Sequence, residues 1–182
     1  MIEKNLINQC SPTLASLKTA SLFTVNSDLN TVIEDIKYWN KVFLNKNLTL
    51  KLLRYKNGVA LIYLYRSKKL EQDFNKRGVK RFLKNNGYES ADVNSAINTL
   101  RKKLNNSDSF PHEIGLFLGY PLGDVIGFIK NSGKNSKCCG CWKVYCNECE
   151  AIKTFNRFKK CKNIYSRLWS EGNRSISQLT VA

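Results

Sequence analysis

No run of about 18 apolar residues occurs in the chain, which excludes a membrane-spanning helix. G-x-G-x-x-G, the P-loop and H-E-x-x-H are all missing, and with them the common dinucleotide, nucleoside triphosphate and metalloprotease signatures. There is no internal repeat and no low-complexity segment. The opening residues, MIEKNLINQCSPTLASLKTASLF, place acid and amide groups where a secretory signal needs a basic and then an apolar run. A cytoplasmic protein is expected. Histidine is reduced to one residue, His112, and acid is scarce: Asp and Glu number 14 against 30 Lys and Arg, a net charge of +16.

What is present fits one domain over residues 1–182, with 42% apolar residues and enough length to bury a core. The charge is uneven. Residues 47–85 and 125–182 are strongly basic, and residues 86–124 between them are mildly acidic. Such a field concentrates anionic partners: nucleic acid, phosphates or an acidic protein.

An α+β fold is expected. Leu48–Arg66 contains two β-rich runs meeting at Asn57-Gly58, the favoured pair for a two-residue type I′ hairpin. That turn sets Arg54 opposite Leu61, Leu52 opposite Tyr63 and Leu50 opposite Tyr65. Both faces carry apolar groups, so the hairpin belongs in a larger small antiparallel sheet, with residues 141–146 as a further strand. Helices are expected at 11–23, opened by Ser11-Pro12, and from Ser27-Asp28 onward, where Leu29, Val32, Ile33 and Ile36 share a stripe. Others are read at 67–85, 91–104, 112–118 and 122–130, and a long basic one at 148–167.

Seven cysteines in a reducing compartment read as free thiols, a metal site or redox groups before disulfides. Five fall in SKCCGCWKVYCNECE, residues 136–150. Cys138-x2-Cys141 and Cys146-x2-Cys149 resemble two zinc knuckles, yet only four residues separate them where a zinc ribbon uses about 15–20. Cys141-x4-Cys146-x2-Cys149, with Cys161 further on, matches a plant-type iron–sulfur spacing. Against both, WKVY alternates as a strand, and a thiol is an ordinary small core group. Elsewhere, Cys10 precedes the Ser11-Pro12 helix entry, where a helix dipole favours the thiolate. His112 is a candidate base or axial ligand for haem or metal. Lys18 and Arg66 are candidate anion clamps. Tyr55, Tyr63 and Tyr65 on a basic hairpin are candidates for stacking bases in a nucleic-acid-binding module.

The stretches CSPTLASLKTASLF, LIYLYR, FPHEIGLFLGYP, GCWKVY, FKKC and the terminal LTVA span nearly the whole chain. Through them it resembles a family of uncharacterised proteins from anaerobic Firmicutes, a domain of unknown function. The resemblance implies no established activity. It does imply that Trp142–Tyr145, Cys161 and a cysteine near position 138 belong to the family pattern, whereas Cys146 and Cys149 do not clearly do so. It moves the site candidates to Cys10, Lys18, His112, Glu113, Tyr120, Lys143 and Tyr145. Family members tend to be encoded beside small flavodoxins and iron-handling genes. The resemblance therefore implies an accessory protein of anaerobic redox or iron and haem metabolism, with an acidic flavodoxin-like partner. An enzyme using Cys10 and His112 on an anionic substrate, and a nucleic-acid-binding module, stand as alternatives.

Overall fold

The computed structural model describes residues 2–106, 109–172 and 174–182. Its centre is a three-stranded antiparallel sheet of β1 (Ala20–Asn26), β2 (Leu48–Lys56) and β3 (Val59–Arg66), in the order β1-β3-β2. The α+β class and the hairpin at its heart are as expected. Asn57 and Gly58 both take positive φ, 52° and 75°, the signature of the type I′ turn.

Lys56 faces Val59 and Arg54 faces Leu61, as the turn dictates. Beyond that the expected register is corrected. A bulge between Leu52 and Arg54 sets Leu52 against Ile62 and Leu50 against Leu64. The extra residue, Leu53, is buried, so the slip turns an apolar side chain into the core.

The third strand also differs from expectation. It is Ala20–Asn26, overlapping the segment 11–23 expected to be helical, on which Leu14, Leu17 and Leu22 would form the apolar stripe. Leu17 is 41% exposed, so that stripe never forms. The helix lies upstream, as α1 (Glu3–Leu14), with Pro12 in its last turn. There Pro removes one hydrogen bond close to where the helix stops anyway. Ser16, at φ 57°, breaks the direction and leads into β1.

Because β3 is central, it is buried on both faces, and each face has its own core. Leu61, Tyr63 and Tyr65 pack with α3 (Ser67–Phe74), α4 (Val79–Asn85), α5 (Val93–Asn106) and α6 (Ile114–Phe117). Ala60, Ile62 and Leu64 pack with α1 and with α2 (Leu29–Val42). Asp28 caps α2 by accepting from the Thr31 amide at 2.9 Å, as its sequence suggested. The single helix read over 67–85 is two, parted at Gly78, whose φ of 85° suits glycine alone.

The hairpin tyrosines are not a stacking platform. Tyr63 and Tyr65 are buried, stack on each other at 5.0 Å, and Tyr63 donates to the Phe117 carbonyl. Tyr55 spends its hydroxyl on the Ser27 carbonyl.

The remaining elements lie beyond α6. They are α7 (Leu122–Lys130), a ribbon of β4 (Cys138–Cys139) and β5 (Lys143–Val144), α8 (Glu148–Ser170) and α9 (Ile176–Leu179). The expected strand 141–146 shrinks to two residues paired with Cys138 and Cys139, and it does not join the main sheet. Past β5 only Tyr145, Cys146 and Asn147 precede α8. Among the described residues no helix is long and apolar enough to cross a membrane.

Candidate functional site

The candidate site is built where the β4–β5 ribbon closes over α6 and α7. Two local devices bring them together. Gly119, at φ 78°, turns the chain so tightly that a side chain there would strike Thr19 Oγ1 at 2.7 Å. Pro121 then opens α7, just before the helix expected over 122–130. Along α7, Gly123 and Gly127 lie four residues apart and so share a face. A Cβ at Gly123 would stand 2.4 Å from Cys146 Sγ, and one at Gly127 would stand 2.4 Å from the Tyr145 ring. The ribbon can lie on α7 because these two positions have no side chains.

Asp124, between those glycines, pins the ribbon. It is buried, and it accepts from the Trp142 indole at 2.8 Å and from the amides of Tyr145 and Cys146 at 2.8 and 2.9 Å. Buried acceptors of this kind must be satisfied, and here three donors from one short loop do so. Trp142 is thereby held against Tyr120, with ring centres 4.9 Å apart and nearly parallel, and edge-on to Phe155 at 4.6 Å. The Tyr120 hydroxyl donates to the Cys141 carbonyl at 3.1 Å. Burial, and then the nearby Cys141 thiol, push the Tyr120 phenol up to about 12, so it serves as a neutral donor.

These contacts enclose a pocket of about 440 Å³, within the range of small-molecule sites. Its walls are largely aromatic: Phe110, Tyr120, Phe128 and Trp142. His112 stands on the wall with its ring 5.0 Å from that of Phe128. Lys143 and Cys139, cross-strand neighbours in the ribbon, complete the lining beside Asp124. The Lys143 ammonium donates to the Gly133 carbonyl at 2.6 Å, which leaves two of its three donors for a ligand.

Of the residues singled out from the sequence, His112, Tyr120 and Lys143 come together in this pocket. Tyr145 lies against the outer side of α7 and bonds the Lys134 carbonyl. Lys18 reaches the same region from the end of α1, 5.6 Å above the Tyr120 ring. Its ammonium pKa is lowered by burial, against the opposing pull of the Cys141 and Cys10 thiols. The pocket residues that sequence reasoning missed include Asp124, Phe110, Phe128, Trp142 and Cys139. Asp124 did leave a signal, as the lone acid inside the otherwise apolar LGDVIGFI.

Three other candidates have structural duties. Cys10 lies within α1 rather than before it, with no exposed surface, and burial pushes its thiol up to about 12. It packs in the core on the α1 side of the sheet, away from His112, so the two do not form a nucleophile and base pair. Glu113 turns inward, where Lys103 donates to it at 2.7 Å and the Tyr88 hydroxyl at 3.2 Å. Arg66 is buried and donates to the carbonyls of Thr13, Leu14 and Val181 at 2.7–2.8 Å, and to that of Lys46 at 3.2 Å. Four of its five donors are thus spent on carbonyls of the frame, and the side chain is too buried to clamp a ligand.

The cysteines do not assemble the expected centres. Cys149 and Cys161 both lie on α8, twelve residues apart, which is about 18 Å along a helix axis. The iron–sulfur spacing therefore cannot close around one cluster. Among the described residues no three His, Cys, Asp or Glu side chains converge enough to hold a metal ion. Burial raises the pKa of the Cys138, Cys141 and Cys161 thiols, the last to about 11.

No curated protein and no solved structure matches the chain. One family model does, over residues 6–180, and on that match the chain belongs to DUF3793, a family described as protein of unknown function.

Proposed function

We propose that the protein is a cytoplasmic binding protein of redox or haem metabolism. Its pocket takes a flat, mostly apolar molecule that carries an acidic group. One observation carries the reading: four aromatic side chains and the lone histidine wall a single pocket with a lysine ammonium at its edge. Aromatic walls favour a planar ligand through offset and edge-on ring contacts. Lys143 offers charge-assisted bonds to a carboxylate or phosphate. A haem-type tetrapyrrole meets this description, and His112 would supply its axial nitrogen.

The basic surface completes the proposal. A net charge of +16 suits fast, salt-sensitive docking to an acidic redox protein such as a flavodoxin. The enzyme reading loses support because Cys10 is buried, protonated and remote from His112.

Titration with haemin tests the pocket. Wild type is expected to quench Trp142 fluorescence and to give a sharpened Soret band. His112→Ala should move that band, and Lys143→Gln should weaken binding about tenfold. Binding that is indifferent to both substitutions would defeat the reading. Flavin mononucleotide, tried alongside, would keep the pocket and replace the tetrapyrrole if it alone binds with dependence on Lys143.

A further inference from the structure

Residues 125–147 supply Val125, Phe128, Cys139, Trp142 and Lys143 to the pocket wall, and between the flanking Asp124 and Glu148 their charge is of one sign. Residues 125–147 carry Lys130, Lys134, Lys137 and Lys143, with no aspartate or glutamate. All four lysines are exposed, and among the described residues none of them meets a carboxylate. The segment is also braced. Lys137 donates to the Cys146 carbonyl at 2.8 Å, Lys143 to the Gly133 carbonyl, and the Tyr145 hydroxyl to the Lys134 carbonyl at 3.0 Å. Lys137 and Lys143 each keep two donors after these bonds. Two apolar side chains stand open: Phe110, 41% exposed, on the pocket wall, and Ile129, 38% exposed, which follows the wall residue Phe128 on α7.

We infer that the mouth of the pocket is the docking face for an acidic protein, so that partner binding and ligand exchange share one opening. This rests on the pocket reading above. Apolar side chains beside exposed charge of one sign have the composition of a transient protein interface. The exposed charge of this segment is lysine alone, with no arginine between residues 125 and 147. Arginine is the usual choice for forked recognition of phosphate, whereas lysine acts as a hydrated point charge suited to a partner's carboxylates and to fast release. Exposed Phe110 and Ile129 also need an apolar counterpart, which a phosphate backbone lacks. The other basic block, residues 47–85, includes Glu71 and Asp73, and its Lys76 is tied to Asp73.

The test uses the full chain and a flavodoxin as the acidic probe, titrated at low salt and again near physiological salt. Two triple variants carry the same charge change. One alters the mouth (Lys130→Glu, Lys134→Glu, Lys137→Glu) and the other alters α3 and α4 (Lys68→Glu, Lys80→Glu, Lys84→Glu). The mouth variant is expected to lose affinity about tenfold or more, and the other less than about threefold. Bound flavodoxin should slow haemin entry. Equal losses in both variants, a larger loss in the α3–α4 variant, no binding of the probe, or unchanged haemin entry would each overturn the inference. So would tighter binding of a single-stranded oligonucleotide that fails in the mouth variant, which would make the face a nucleic-acid site. Haemin titration without partner separates the two readings. Lost docking with intact haemin binding supports this face, whereas intact docking with no haemin binding in wild type defeats only the proposed ligand.

Discussion

Arg66 shows how a charged side chain becomes part of the frame. It is buried, among the described residues no carboxylate pairs with it, and carbonyl oxygens take that place. Thr13 and Leu14 end α1, where orphan carbonyls and the negative pole of the helix dipole collect. Val181 and Lys46 bring in the chain end and the approach to β2. Lys46 adds bonds to the carbonyls of Ser177 and Thr180 at 2.6 and 2.8 Å, so two cations knit the C-terminal residues to the sheet. Arg66→Ala would strip four carbonyls of their donor and should cost about 3–5 kcal/mol. Arg66→Lys keeps the charge but not the fork, and should recover less than half of the loss. Urea unfolding of both variants checks this. A loss under about 1 kcal/mol for Arg66→Ala would mean that water replaces the guanidinium freely.

At the scale of elements, α7 depends on what it lacks. Glycine to alanine inside a helix ordinarily gains about 1 kcal/mol. At Gly127 the sign should reverse, because the new Cβ would stand 2.4 Å from the Tyr145 ring. That ring cannot swing away. Its hydroxyl is bonded to Lys134 and its amide to Asp124. Gly127→Ala is expected to lower stability by about 1–3 kcal/mol and to weaken ligand binding as the ribbon lifts. Thermal unfolding with haemin titration reads both, and a stabilised variant would show that the ribbon is loosely seated. The same elements show what was legible in the sequence. Asn57-Gly58, Ser27-Asp28 and Pro121 each encode a local backbone demand, and each was readable. The bulge at Leu53 was not, because only tertiary burial decides whether that side chain turns inward. Nor was the third strand, since Ser21–Val25 reads equally as part of an apolar helix until Pro12 is seen to close one. The pocket was partly legible: His112, Tyr120 and Lys143 were singled out, whereas Cys139 and Trp142 reach it only because Gly123 and Gly127 admit the ribbon, and Phe110 and Phe128 carried no signal of their own.

For the whole molecule the governing quantity is charge. Thirty basic side chains face 14 acidic ones, and among the described residues ion pairs join Lys76 to Asp73, Lys103 to Glu113 and Lys153 to Glu150. Helix α8 alone carries Lys153, Arg157, Lys159, Lys160, Lys162 and Arg167. Repulsion among such groups favours any state that spreads them apart, and unfolding does that. The effect acts through water, so salt weakens it: the screening length falls from about 30 Å at 0.01 M to about 3 Å at 1 M. Sodium chloride should therefore raise the melting temperature, by a few degrees between about 0.02 and 0.5 M, with most of the rise below about 0.2 M. Salting-in or salting-out of apolar groups would instead act steadily and mostly at high salt. A flat or falling melting temperature over the low range would mean that the folded chain already spaces its charges as well as the unfolded one does. The same screening opposes partner docking. The protein should thus be most stable in salt that weakens its complex and least stable, when alone, in the dilute conditions where an acidic partner binds best. Adding flavodoxin at low salt should then raise the melting temperature by more than chloride does, because a bound partner neutralises charge and is also lost on unfolding.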